Sequence, residues 1–382
     1  MLGINSNINS LVAQQNLNGS QSALSQAITR LSSGKRINSA ADDAAGLAIS
    51  TRMQTQINGL NQGVSNANDG VSMIQTASSA LSSLTASLQR IRQLAVQAST
   101  GTLSSSDQAA LQQEVSAQIQ EVNRIASQTT YNGTNILDGS AGSVTFQVGA
   151  NVGQTISLNL SQSMSAAKIG GGLVQTGQTV GTVAISTDST GTYTSTGATI
   201  TSVNVLSDGK GGYTFTDQNN QAISSGAVSN IFSAGTAAGT GTAVTNLTLN
   251  TTLATAMGAT ASGVATASVA QINAINNPPT VSGLNIGTVT GANEAMVSID
   301  NALQTVNNLQ ASLGAAQNRF TAIATSQQAE STDLSSAQSQ ITDANFAQET
   351  ANLSKAQVLQ QAGISVLAQA NSNPQQVLKL LQ

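Results

Sequence analysis

Residues 57–95 read INGLNQGVSNANDGVSMIQTASSALSSLTASLQRIRQLA. Ile57, Leu60, Val64, Ala67, Val71 and Ile74 step by three and four, the spacing that lines apolar side chains along one face of an α-helix. After one shift of phase the stripe continues through Leu81, Leu84, Leu88, Ile91 and Ala95, and Gly101 closes it. A helix from about Ala44 to Ser99 spans roughly 80 Å at 1.5 Å per residue. That is too long to fit inside a compact domain, so the stripe predicts a rod.

The flanks extend the pattern. Upstream, Leu17, Leu24 and Leu31 recur every seven residues, and Gly34 offers a C-terminal stop. Ser39, three residues before Asp42, marks the start of the next helix. Downstream, Ser105 and Gln108 read as a capping box. Leu111, Val115, Val122 and Ile125 then form a third stripe, expected to fold back on the second. Far along the chain the helical period returns near Ala292, with Val306, Leu309, Leu313, Ala316, Phe320 and Ile323. It passes through Gln327 and Glu330 and resumes at Leu334, Ala337, Ile341 and Ala344. A further helix carries Leu353, Ala356, Leu359, Ile364 and Leu367, and Asn373 with Pro374 predicts a separate last turn bearing Leu378 and Leu381.

Between the helical arms the period changes. Val144 to Val148 alternates, Gly149 to Gly153 turns, and Thr155 to Leu160 alternates again, a hairpin with a five-residue loop. Thr199–Leu206 and Tyr213–Thr216 flank Asp208-Gly-Lys-Gly-Gly212, a second hairpin, and Val269, Ile272 and Ile275 mark a short helix before Pro278. The expected fold class is α+β: long, paired, coiled-coil-like terminal helices forming a rod, with a β-hairpin and an inserted, mostly-β outer domain. The expected divisions are 1–42 with 345–382, 43–170 with 292–344, and 171–291. A chain that leaves along a rod and returns along it must pair its ends. Residues 1–33 and 345–382 carry sparse, small apolar side chains among many Asn, Gln and Ser. Such a pair buries too little to offset the entropy of ordering it, so these ends are expected to be disordered in a monomer and ordered in an assembly.

Composition narrows the chemistry. The 382 residues contain no His, no Cys and no Trp. That removes histidine bases, histidine and thiolate metal ligands, thiol nucleophiles and disulfides. With 12 basic residues and a net charge of −4 there is no nucleic-acid footprint. No apolar run reaches membrane-spanning length, and Met1 to Ser10 lacks the features of a Sec-type signal peptide. Asp42-Asp43, the one adjacent acidic pair, reads as charge at a helix N-terminus rather than as a catalytic dyad. Gly170-Gly171-Gly172 has no following Lys-Ser/Thr and is not a phosphate loop. No catalytic residue, metal site or cofactor is expected.

Longer motifs carry a resemblance. The chain opens with Ile4-Asn5-Ser6-Asn7, and Leu31 to Ile49 reads LSSGKRINSAADDAAGLAI. Leu88 to Ala98 (LQRIRQLAVQA), Tyr131-Asn132-Gly133, and Gln360 to Asn371 (QQAGISVLAQAN) follow in order. Over about residues 1–165 and 292–382 the chain closely resembles bacterial flagellin, while the middle matches none in particular, as expected for that family's variable outer domain.

The resemblance implies a filament subunit, exported unfolded through the flagellar type III apparatus and polymerising with copies of itself. Its implied partners are an export chaperone holding the C-terminal helix, the filament cap and the hook-junction proteins. Small sliding shifts between thin helix faces are implied to switch the filament between packings. The terminal assembly helices are expected to act through Leu17, Leu24, Leu31, Leu353, Leu359, Ile364, Leu367, Leu378 and Leu381. A second implied partner is the vertebrate Toll-like receptor 5, reading Gln89, Arg90, Leu94, Gln97 and Glu114; Arg90 would make bidentate hydrogen bonds and Leu94 would fill a pocket. The same residues have subunit packing as their alternative role. A hook–filament junction protein shares the terminal helices and the export route, but the runs at 36–49 and 360–371 favour flagellin. An adhesin with a coiled-coil stalk would need a signal peptide and an anchor. A protease inserted in the outer domain would need a zinc-binding His-Glu-x-x-His helix.

Overall fold

The structure, a computed structural model, describes residues 7–234 and 246–380. In chain order they form α1 (Ile8–Ser33), α2 (Ala44–Ala98), α3 (Ser105–Gln128), β1 (Thr130–Tyr131), β2 (Thr134–Asn135), β3 (Gly142–Gln147) and β4 (Thr155–Leu160). Next come β5 (Thr179–Thr187), β6 (Ile200–Ser207), β7 (Tyr213–Asp217), α4 (Ser225–Ile231), β8 (Phe232–Ala234), β9 (Leu247–Leu249), α5 (Thr251–Met257) and α6 (Ala259–Ile275). After a 3₁₀ turn at Val281–Gly283, α7 (Val289–Thr342) and α8 (Phe346–Leu380) complete the chain. The α+β class read from the sequence is the observed one: long helices at both ends and small sheets between.

The residues group into two compact units, and α2 and α7 contribute to both. The first unit comprises Met1–Ala67, Gln147–Thr155 and Ala322–Gln382. Here α1 and α8 pair antiparallel: Asn7 donates to the Ala370 carbonyl at 2.7 Å near one end, and Arg30 donates to Glu349 at 3.2 Å near the other. The described side chains of this pair bury little, chiefly Ala13, Ala27, Ala356 and Ala370. Gly34 ends α1 as expected, at φ +70°, with its N–H on the Arg30 carbonyl; only glycine adopts that left-handed turn without strain. The start of α2 differs from expectation. Asp43, not Ser39, is the cap, its carboxylate accepting from the Gly46 N–H at 2.8 Å. Asp42 instead holds the preceding turn, accepting from the backbone of Asn38 and Ser39 and from the Gln26 amide. These hydrogen bonds, the Gln26 amide first, keep its carboxyl below the ordinary value of 3.8.

Within this unit α2 and α7 also run antiparallel, joined by Ser331 to Asn61 at 2.9 Å and by Gln338 to the Ser50 carbonyl at 3.1 Å. The loop from Val148 to Gln154 lies against them. Asn66 donates to the Gln147 carbonyl at 2.7 Å, and Gln327 donates to the Val148 carbonyl. Any side chain at Gly63 would overlap that carbonyl, so glycine permits the approach. The α7 stripe therefore passes through a glutamine because a buried loop carbonyl needs a donor there. The hairpin loop, 148–154, is longer than the five residues expected: the N–H groups of Val148 and Gly149 both reach the Gln154 carbonyl, at 2.9 and 3.2 Å, which breaks the regular ladder there. The separate last turn expected after Asn373 is absent: the backbone of α8 continues as one helix through Pro374 to Leu380.

The second unit comprises Asn68–Phe146 and Ile156–Thr321. Leu81, Leu84, Leu88, Ile91, Ala95 and Ala98 of α2 are buried in it, with Val115, Val122 and Ile125 of α3. Phe320 of α7 is fully buried and meets Phe146 edge-on, with ring centroids 5.3 Å apart. The capping box of α3 lies one residue earlier than expected. Ser104 Oγ accepts from the Asp107 N–H at 3.3 Å, and Asp107 accepts from the Ser104 N–H at 3.2 Å. A charged carboxylate at the third position also suits the positive end of the helix dipole, which Gln108 cannot match.

The insert is a three-stranded antiparallel sheet, ordered β5-β6-β7, with helices packed on it. Val183, Val203 and Val205 from the sheet share a core with Ile231, Phe232, Leu253, Val269 and Ile272. The β6–β7 hairpin is as expected, Ser207 pairing with Tyr213 at its mouth. The expected short helix is the end of the 17-residue α6, and β5, α4, α5 and the β8–β9 pair are additional. Asn273 of α6 takes both the N–H and the C=O of Leu247 and accepts from the Tyr213 hydroxyl at 2.9 Å. Burial pushes that hydroxyl up to about 12, so it remains a neutral donor.

Candidate subunit-packing surfaces

The residues proposed for receptor recognition lie on α2 and α3 in the second unit. Gln89, Arg90 and Gln97 are exposed and Glu114 is half-buried. Arg90 places Nε at 2.8 Å and Nη2 at 2.6 Å from the same oxygen, Oε1 of Glu114, and Nη1 at 3.4 Å from Gln93. Its fork is thus engaged within the chain, tying α2 to α3. Leu94 requires a correction. It is 1% exposed and belongs to the interior, because it continues the apolar face of Leu84, Leu88 and Ile91. It cannot fill a pocket on another molecule while α2 keeps its packing. The neighbouring apolar residue that does face outward is Val96.

A second ion pair joins residues distant in sequence. Arg92 holds Asp300 of α7 with Nε–Oδ1 2.7 Å and Nη2–Oδ2 3.2 Å, a two-pronged contact that raises the arginine's pKa through the hydrogen bonds and the charge of Asp300. Partners 208 residues apart leave no local signal.

The terminal pair has a different surface. Leu17, Leu24 and Leu31 of α1 and Leu353 and Leu367 of α8 are half-buried along the seam where the helices meet. Leu359 and Ile364 are exposed, Leu359 on the rim of that seam where it borders a groove with Ser20 and Ala23 of α1; Val358 and Val366 are exposed near them, and Phe346 at the start of α8. On α1, Ile8, Leu11, Val12 and Ile28 are likewise exposed. Leu381 lies outside the described residues, as does the side chain of Leu378. Most of the large apolar side chains exposed in the described structure therefore belong to α1 and α8. No helix among the described residues is long and apolar enough to cross a membrane. Long helices at both ends, an inserted sheet with its helices, and exposed apolar side chains on the terminal pair are the features of a structural protein built to associate.

Comparison with known proteins gives the family. Residues 4–142 match the bacterial flagellin N-terminal helical region, 172–275 the flagellin D2 domain, and 296–381 the bacterial flagellin C-terminal helical region. Flagellin B of Vibrio cholerae is 37% identical over 384 residues, covering 100% of this chain and 99% of its own. B-type flagellin of Pseudomonas aeruginosa is 34% identical over 489 residues, with all of both chains covered. The solved structure of FliC from Burkholderia pseudomallei is 67% identical, with a TM-score of 0.60, over 66% of this chain and 100% of that one. The chain belongs to the bacterial flagellin family, the structural subunits of the flagellar filament outside the cell.

Proposed function

We propose that the chain is exported unfolded through the flagellar type III apparatus and polymerises at the filament tip through α1 and α8. The observation that carries this reading is the set of exposed apolar side chains on a helix pair whose fully buried apolar residues are alanines. Such side chains gain most from a neighbouring copy. The three-part organisation proposed is 1–42 with 345–382 as inner helices ordered on assembly, 43–170 with 292–344 as the tube wall, and 171–291 outside. The D2 match at 172–275 supports the last division. An export chaperone would hold α8 before assembly, and the cap and hook-junction proteins would contact the filament's ends. To test this, sheared filaments are depolymerised by mild heating and the soluble chain is added to seeds while helicity is followed by circular dichroism. Helix gain with elongation by electron microscopy is expected; a chain that elongates seeds without gaining helix sinks the disorder of the ends.

The cluster of exposed Gln89, Arg90 and Gln97 with the half-buried Glu114 is proposed as a surface that packs subunits in the filament and meets Toll-like receptor 5 in the monomer. The support is its exposure and its match to the family's motif, Leu94 now excluded. A receptor reporter assay on soluble Arg90→Ala is expected to show a reduced response, and an unchanged response removes Arg90 from the surface.

A further inference from the structure

The α1–α8 seam repeats itself. On α1 the buried and half-buried positions Ala13, Leu17, Ser20, Leu24, Ala27 and Leu31 alternate steps of four and three. On α8 the seam runs through Glu349, Leu353, Ala356, Gln360, Gly363, Leu367 and Ala370, with the same spacing. Sliding α8 by seven residues lays small residues on small ones and Leu353 or Leu367 on the position of Gln360. Apolar packing along so uniform a seam discriminates poorly between those registers.

Two positions of α8 depart from the repeat, Gln360 among the leucines and Glu349 among the small residues, and of the two only Glu349 is charged. Glu349 occupies the heptad site that Ala356, Gly363 and Ala370 fill elsewhere, and it is a carboxylate only 6% exposed. Its Oε1 accepts from Arg30 Nη1 at 3.2 Å and its Oε2 from Asn352 at 2.7 Å. Arg30 also stands 3.9 Å from Asp42 Oδ1, ahead of α2. A heptad slip would strand this buried carboxylate opposite an apolar or small residue, at a cost that a buried, unpaired charge makes large. Beside it the two connectors are laddered: Arg36 N donates to the Thr342 carbonyl at 2.6 Å and Ala344 N to the Gly34 carbonyl at 2.9 Å.

We infer that Arg30 and Glu349 are positioning residues, a polar key that selects a single register for the terminal helix pair. Their role is to specify pairing, not to add stability, which is the best-attested use of a buried polar pair in a repetitive helical seam. The inference rests on the reading that α1 and α8 pair in the filament.

The chain has no cysteine, so introduced pairs report register without interference. Ser10 and Asn371 touch at 2.8 Å, and Ser10→Cys/Asn371→Cys reports the observed register. Ser10→Cys/Ile364→Cys reports the register slipped by one heptad. Both pairs are oxidised in seeded filaments, where α1 and α8 are proposed to pair, and the disulfides are quantified by peptide mapping. With Arg30 and Glu349 intact the observed-register product should exceed the slipped one by at least about tenfold. Arg30→Met/Glu349→Leu should bring the two to similar yields. Retention of the large excess in that variant overturns the inference and leaves the connector ladder as the sole determinant. Equal yields, or no cross-link at all, in the parent chain also overturn it. Glu349→Gln, which keeps the shape but removes the charge and can accept only one of the two hydrogen bonds, supplies the same ratio if the double variant does not elongate seeds: a fall supports the key and an unchanged excess overturns it. Elongation is read separately by electron microscopy, so failure of the assembly reading is distinguished from failure of the register key.

Discussion

The terminal helix pair and the interior of the second unit are both built from helices with apolar stripes, yet they hold together differently. In the second unit α2 buries a run of leucines and isoleucines, and Phe320 closes on Phe146 at 5.3 Å. Along α1 and α8 the buried residues are mostly alanines, and the larger side chains are half-buried or exposed. Burial of a large apolar side chain contributes about 1.5–3 kcal/mol, whereas an alanine contributes a fraction of that. The first arrangement offsets its ordering entropy from within the chain. The second depends on what is added from outside. Helical period alone therefore does not distinguish a self-sufficient helix from one that needs a neighbour; the size of the side chains on the buried face does.

The largest expected effect tests that contrast directly. Phe320→Ala should destabilise the second unit by about 3–5 kcal/mol, because the ring is fully buried and leaves a cavity against Phe146. Leu24→Ala, on the half-buried α1 seam, should cost the soluble chain about 1 kcal/mol or less. Urea unfolding followed by circular dichroism compares the two. Equal losses in the soluble chain would break the contrast, since they would mean that the terminal pair is already well packed alone.

Next in size is Gly34→Ala. Gly34 ends α1 at φ +70°, and a side chain there costs about 1–2 kcal/mol. Its carbonyl also accepts from Ala344 in the connector ladder, so the strain bears on the junction of both terminal helices. Slower seed elongation with an unchanged melting transition of the second unit is the expected result. A change in that transition instead would place the strain in the wrong part of the molecule.

The sequence made the long helices legible because three- and four-residue steps survive in a low-complexity background. Gly34 was legible as a stop because glycine at a helix end has one common meaning. The caps of α2 and α3 lie a few residues from the positions the sequence suggests, since runs such as Ser104-Ser105-Ser106-Asp107 and Ser39 to Asp43 offer several candidates of the same chemistry. Strand β5 escaped because its register with β6 shifts twice, which breaks the two-residue alternation, and because Thr and Gly fill the positions between its valines. Leu359 and Ile364 looked like seam residues by hydrophobicity alone. The true seam passes through Gln360 and Gly363, which no hydrophobic count selects. The Arg92–Asp300 and Arg30–Glu349 pairs join residues from opposite ends of the chain, and only the fold brings them together.

A smaller effect sharpens the comparison at the start of α3. Ser104→Ala should remove about 1 kcal/mol by deleting the cap. It should also change the acid limb of stability. Hydrogen bonds from Ser104 hold the Asp107 carboxyl below 3.8 in the folded chain. A depressed folded pKa contributes stability that is present above the unfolded value and lost as pH falls through the folded one. The parent should therefore lose stability as pH drops below about 4, and Ser104→Ala should lose less over the same window. Parallel acid limbs in the two proteins would show that the box does not act through the carboxylate.

The smallest expected effect separates surface from interior on a single helix. Arg90 and Glu114 form an ion pair, but their side chains are 49% and 40% exposed. Exposed pairs of this kind contribute about 0.2–1 kcal/mol, because water competes for both charges and holding two long side chains costs entropy. Arg90→Ala should thus leave the urea midpoint nearly unchanged, whereas Leu94→Ala, four residues on and buried, should cost about 2–5 kcal/mol. Loss of filament packing or receptor response in Arg90→Ala, with stability retained, would be an effect of the surface itself. The same loss in Leu94→Ala would carry no such meaning, because unfolding of the face that holds Arg90 would produce it as well.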